Sequence, residues 1–167
     1  MASQPSFDIT SKVDLQEVDN AINQAKKELS QRYDFKGSKA TIELKSKENA
    51  IELIADDSFK MEAVWEIVQT RLHRRGVPIK NLKPGELETI GGGMVKKMVT
   101  LQQGVSSDAA RDIIKFVKEQ KLKKVQVTIQ GDQLRVTSNS KDELQNAIRL
   151  LRGEDFGVEL QFGNFRD

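Results

Sequence analysis

A chain of 167 residues, 31% charged and 37% apolar, has room for one ordinary domain or two small ones, and its balance is that of a globular protein. The absence of cysteine excludes disulfides, thiolate nucleophiles and cysteine zinc sites. No apolar run approaches the roughly 18 residues of a membrane span, and Met1–Ser6 carries no basic stretch ahead of an apolar core, so a cytoplasmic setting is expected. The net charge of +2 is too small to mark a general polyanion binder, but it is unevenly divided: residues 1–93 carry 14 Lys/Arg against 15 Asp/Glu, and residues 94–167 carry 13 against 10. On that count the second half is the better polyanion surface.

In chain order, Ser6–Val13 alternates Phe7, Ile9 and Val13 with Asp8, Thr10 and Lys12, which predicts a strand with one wet face. Asp14 reads as a helix N-cap with Glu17 as its capping-box partner, and Leu15, Val18, Ile22, Ala25 and Leu29 carry helical spacing to about Gln31. Strands are predicted over 40–45 and 50–55. Asp56 and Asp57 are helix-start charges before a helix from Ser58, whose stripe is Met61, Val64, Trp65, Val68 and Leu72 and whose end is Gly76 with Pro78. A short strand at 86–90 leads to Gly91–Gly93, a flexible joint or loop tip. Val95–Gln102 is a strand. Ser106 or Ser107 caps a helix bearing Ala110, Ile113, Ile114 and Val117. Val125–Gln130 and Leu134–Thr137 form a hairpin through Gly131-Asp132, Ser140 with Glu143 opens the last helix, and Val158, Leu160 and Phe162 give the last strand.

The same order of elements therefore occurs twice, joined through Ile90–Met94. Half-covered antiparallel sheets in tandem, α+β and ferredoxin-like (RNP-like), are the economical arrangement.

Catalytic signatures are missing: there is no Walker A run, no dinucleotide-binding glycine pattern and no nucleophile elbow. The one histidine, His73, falls near a helix end, where a surface role suffices. No His/Asp/Glu set has metal spacing, and no cofactor is expected. RNP domains stack bases on sheet aromatics, but aromatics are 5% here and the Lys/Arg-Gly-Phe/Tyr-x-Phe string is absent. The face expected to stay open in the second unit is Gln126, Thr128, Gln130, Arg135 and Thr137, groups that hydrogen-bond but cannot stack; a plain solvated face is the other reading. Basic residues gather at Lys26-Lys27 with Arg32, Lys36 and Lys39; at Arg71, Arg74 and Arg75; and at Lys115, Lys118, Lys121, Lys123 and Lys124. The last group, running down one helix into its exit loop, is a solvated face or a phosphate strip. Arg32–Gly37 sets Tyr33 and Phe35 among alternating charges, with Phe35 inward and Arg32 and Lys36 available to an anion. The end of the chain, Gln161–Asp167, reads as a docked tail through Phe162 and Phe165 or as a ligand contact through Arg166.

Pro5–Asp8, Val13–Val18, Arg32–Gly37, Ile129–Asp132 with Arg135-Val136, and Asn164–Asp167 together resemble the YajQ family of small bacterial proteins, over essentially the whole chain. The resemblance implies two RNP-like domains that exchange first strands, one spanning 14–103 and the other made of 1–13 and 104–167. It also implies binding of nucleotides or nucleic acid, with some members responding to cyclic di-GMP and acting with transcription regulators. The leading expectation is a non-enzymatic binder of a nucleotide (cyclic di-GMP or GTP) or of tRNA or other RNA. Its contacts would be Arg32, Tyr33, Lys36, Gln126, Thr128, Gln130, Arg135 and Arg166. The alternative is a module that docks a transcription regulator or ribosomal partner, and an enzyme ranks third.

Overall fold

The computed structural model describes residues 4–122 and 124–167. Its elements are β1 (Ser6–Thr10), α1 (Leu15–Gln31), β2 (Thr41–Lys45), β3 (Ala50–Ala55), α2 (Ser58–Arg74), β4 (Leu82–Pro84), β5 (Glu88–Thr89), β6 (Val95–Leu101), α3 (Ser107–Glu119), β7 (Gln126–Gln130), β8 (Gln133–Thr137), α4 (Lys141–Arg152) and β9 (Gln161–Arg166). Among the described residues they make two antiparallel sheets and four α-helices, so the α+β class expected from the sequence holds.

Each helix starts where a side chain can close its open end. Asp14 accepts from the amides of Gln16 and Glu17, Asp57 from Lys60 at 2.7 Å, Ser106 from Ala109 and Ser140 from Glu143. Two expectations at these ends need correction. Glu17 does not serve as a capping partner; its carboxylate takes two hydrogen bonds from Arg75, at 2.7 and 3.2 Å. Asp56 is not a helix-start charge but accepts from Ser38 and, at 3.2 Å, from the Lys39 amide.

The chain divides into two compact units. One is Val13–Gln102; the other, here the composite unit, joins the chain up to Lys12 with Gln103–Asp167. In the composite unit the strand order is β7-β8-β1-β9, and in the Val13–Gln102 unit it is β2-β3-β6-β4 with β5 also on β6. Register puts Phe7, Val136 and Val127 in one row and Ile9, Leu134 and Ile129 in the next. The β1 and β8 members of these rows are buried against Ile113 of α3 and Leu151 of α4. The Val13–Gln102 unit has its own core, in which Ile51, Leu53 and Val99 meet Ile22 of α1 and Met61 and Leu72 of α2. Burying a side chain of that size contributes about 1.5–3 kcal/mol, so each unit rests on its own layer of helix against sheet.

Several local expectations fail for nonlocal reasons. Val13 continues the alternation of β1 on paper, yet its side chain belongs to the core of the Val13–Gln102 unit. Asp8, expected on a wet face, is only 4% exposed. Ile129, expected inward, is 52% exposed because β7 is an edge strand that the helices do not fully cover. The last strand runs Gln161–Arg166 rather than around Val158, and a register shift opposite β1 accompanies Asn164 at a φ of 53°. Strand β4 was not foreseen; it holds Pro84, which an edge position tolerates. Of the two readings of Gly91–Gly93 the loop tip holds and the joint between units does not: it is a single tight turn between β5 and β6, closed by a 2.8 Å bond from the Ile90 amide to the Met94 carbonyl.

The division also changes the charge argument. Counted by unit, Val13–Gln102 carries 15 Lys/Arg against 14 Asp/Glu and the rest of the chain 12 against 11, so each unit holds a net +1. The basic bias assigned to the second half came from cutting the chain at residue 93.

Candidate functional site

The open face of the composite unit is built by register. Thr137 lies across from Gln126 and Ser6, Arg135 across from Thr128 and Asp8, and Gln133 across from Gln130. Gln126, Thr128 and Gln130 are exposed along β7. Arg135 is not a free cation. Its Nε donates to Asp8 Oδ1 at 2.9 Å, and Asp8 Oδ2 accepts from Asn164 at 2.6 Å. Burial pushes the Asp8 carboxyl up, but the hydrogen bonds from Arg135 and Asn164 and the charges of Arg135 and Arg166 outweigh it and hold the group below the usual carboxylate range. Arg166 is exposed, and pairing with β1 sets it across from Ser6, on the face that carries Asp8 and Arg135.

In the Val13–Gln102 unit, the segment after α1 docks on the start of α2. Phe35 is buried, and Lys60 stands 4.8 Å from its ring centre while donating to the Asp34 carbonyl. Arg32 forks onto Asp34 with two bonds of 2.9 Å, which raises the guanidinium above and lowers the Asp34 carboxyl below their ordinary values. Hydrogen bonds from Ser38 and the Lys39 amide likewise lower Asp56. Gly37, at a φ of 77°, lets the chain turn back toward β2. Tyr33 is 90% exposed, and Lys36 is exposed beside it. A groove of about 510 Å³ opens between the end of α1 and edge strand β2, floored by Leu29, Phe35 and Ile42 with Lys26 and Glu43 at its rim.

The residues singled out in the sequence therefore fall in two sets. Arg32, Tyr33 and Lys36 share one segment of the Val13–Gln102 unit; Gln126, Thr128, Gln130, Arg135 and Arg166 share one sheet of the composite unit. Of the basic groups, Arg71 and Arg75 are bound to Glu28 and Glu17 of α1, whereas Lys115, Lys118, Lys121 and Lys124 are exposed; Lys123 lies outside the described residues. His73 is exposed on the last turn of α2. Sequence reasoning missed Phe59, which is 77% exposed on the first turn of α2. The signal was there: Phe59 is large, apolar and out of phase with the stripe that begins at Met61. It also missed Asp8 and Asn164, which no local pattern could link.

Among the described residues no group of three or more His, Cys, Asp or Glu side chains is disposed to hold a metal ion, and no helix is long and apolar enough to cross a membrane. Two helix-backed antiparallel sheets define a two-unit α+β protein. The comparison with known families agrees with the resemblance read from the motifs: the family model described as "Nucleotide-binding protein YajQ-like" matches residues 5–166, and the chain belongs to this family. Relatives of similar length lie in Trichlorobacter lovleyi (52% identical over 98% of this chain and 99% of the relative), Geotalea uraniireducens (51%, over 97% and 99%) and Elusimicrobium minutum (48%, over 96% and 98%), each bearing the name "Nucleotide-binding protein".

Proposed function

We propose that this chain is a non-enzymatic protein that binds a nucleotide or RNA, with cyclic di-GMP and GTP as the small ligands to test first and tRNA as the large one. The observation that carries the reading is the open face of β7 and β8. Gln126, Thr128 and Gln130 present donors and acceptors in one exposed row, and the register gives them Thr137, Arg135 and Gln133 as neighbours. Such a row suits the polar edges of bases. Arg135, its charge balanced by Asp8, adds guanidinium hydrogens rather than a free anion clamp, and the exposed Arg166 supplies the positive charge on this face. Arg32, Tyr33 and Lys36 form the second contact set, and the names borne by the relatives support the ligand class.

The proposed architecture is two ferredoxin-like, RNP-like domains with exchanged first strands. Its support is strand order. In the sheet β9-β1-β8-β7 the strands stand fourth, first, third, second; the sheet β4-β6-β3-β2 follows the same order once β6 is counted as first.

Purified protein titrated with cyclic di-GMP, GTP and tRNA at two salt concentrations is the direct test. Saturable binding to at least one is expected, and Gln126→Ala with Gln130→Ala should weaken it while leaving the urea midpoint unchanged. No saturable binding to any of the three overturns the reading. A steep loss of tRNA binding with salt would assign the affinity to phosphate contacts.

A second reading, docking of a transcription regulator or ribosomal protein, is favoured by the groove beside edge strand β2, where an extended segment could add to the sheet. Its mark is a partner retained after nuclease treatment and in the presence of added nucleotide.

A further inference from the structure

Base stacking needs an aromatic face that solvent can reach, and the fold determines where such faces exist. The chain has one tyrosine, one tryptophan and seven phenylalanines. Phe7 and Phe35 are buried; Phe116, Phe156 and Phe162 pack on one core and Trp65 on the other. Phe165 is exposed but leans on Phe7 with ring centres 6.1 Å apart. Two aromatics remain, Tyr33 and Phe59, and neither belongs to a sheet or to a core.

These two sit on adjoining segments. Lys60, next to Phe59, donates to the carbonyl of Asp34, next to Tyr33, and Asp56 binds Ser38 and the Lys39 amide. The backbone beneath both rings is thus fastened, while the rings themselves stay in water. Single exposed apolar residues are ordinary, but two large exposed aromatics on segments fastened to each other, neither with a core role, mark a contact surface. Lys36 and Lys39 are exposed on the same segment, whereas Arg32 and Lys60 are already engaged with Asp34. Aromatic faces beside lysines match an unpaired nucleobase and its phosphate. The open face of β7 and β8, by contrast, has glutamine and threonine groups and nothing to stack on.

We propose that Tyr33 and Phe59 are the base-stacking surface of the Val13–Gln102 unit, receiving unpaired nucleobases while Lys36 and Lys39 hold the attached phosphates. This rests on the nucleotide-binding reading above and adds to it where, and by which groups, the base is held. The same chemistry is offered by a free nucleotide and by single-stranded RNA.

The test uses the full chain with fluorescein-labelled decauridylate, a duplex of equal length, GTP and cyclic di-GMP. Tyr33→Ala and Phe59→Ala should each weaken decauridylate binding by about five- to a hundredfold, the range expected for one lost base–aromatic stack. Tyr33→Phe should restore wild-type affinity, because it keeps the ring. The duplex, whose bases are already stacked, should bind more weakly and respond little to either substitution. Lys36→Gln with Lys39→Gln should lower the salt slope for the single strand by about 1.4. Equal losses for the nucleotides identify the site as one for a single base and phosphate; losses confined to decauridylate identify it as a strand site. Both rings are exposed, so urea midpoints should not move. If the wild type binds and both alanine variants bind as well as it does, the stacking site is wrong while the binding function stands. If the wild type binds none of the probes, the function itself fails and this site with it.

Discussion

Asp8 is the residue whose surroundings the sequence hides most completely. Its neighbours Phe7 and Ile9 point inward, so alternation assigns it to water, and it does leave the sheet on the open side. There it meets Arg135, 127 residues away, and Asn164, 156 residues away, which close over its carboxylate. The pairing has a definite pH signature. Because the folded group sits below its ordinary value despite burial, its stabilising contribution is complete above the unfolded value of about 4 and fades as pH falls from there through the folded value. Asp8→Asn should therefore lose about 1–3 kcal/mol at pH 7, and the deficit should shrink toward pH 3 as the carboxylate of the unfolded chain takes up a proton ahead of the folded one. Urea midpoints of the two proteins at pH 7 and pH 3 measure it. A deficit of equal size at both would show that the charge of Asp8 is not what Arg135 and Asn164 stabilise.

Among the elements, the helices were legible because their determinants are local. The apolar spacing from Val18 to Ala25 and the caps at Asp14, Ser106 and Ser140 lie within a few residues of the turns they specify. The strands were less so. β4 has three residues and a proline, too little for alternation to register, and β9 is shifted by an irregularity whose pairing partner is β1 at the other end of the chain. The seam between α1 and α2 shows which interactions matter at this scale. It holds fully buried Leu72 and two ion pairs, Glu28 with Arg71 and Glu17 with Arg75, whose side chains remain between a quarter and a third exposed. Pairs as open to solvent as these contribute less than about 1 kcal/mol and weaken with salt, whereas emptying a buried leucine site costs about 2–5 kcal/mol. Leu72→Ala should thus lower the thermal midpoint several-fold more than Arg75→Ala, and only the Arg75→Ala effect should diminish in high salt. Comparable losses would mean that the ion pairs, not the apolar seam, hold the helices together.

For the whole molecule, the connectivity admits a simpler description than a repeat. Val13–Gln102 is one continuous stretch containing two helices, a full sheet and its own core, and it interrupts the composite unit between β1 and α3. An inserted unit is the alternative account of the path for which exchanged first strands were proposed above. Alternation could show that Phe7 and Val95 begin strands, but not which sheet each joins, because pairing partners leave no trace in a strand's own pattern. The insertion account makes a strong prediction from one short distance. The Gly104 amide donates to the Ser11 carbonyl at 2.6 Å, so the two ends left by removing Val13–Gln102 lie side by side. Joining Lys12 to Gln103 through four Gly/Ser residues should give a folded domain with a cooperative urea transition, since loop closure over so few residues adds little entropy. The excised Val13–Gln102 stretch should fold as well. Residues 94–167 should not: they lack β1, which occupies the middle of the sheet and is the strand that holds β9. Circular dichroism and urea titration of the three polypeptides decide the matter. A folded 94–167 fragment, or an unfolded Lys12–Gln103 fusion, would mean that β1 is dispensable to the sheet it bisects.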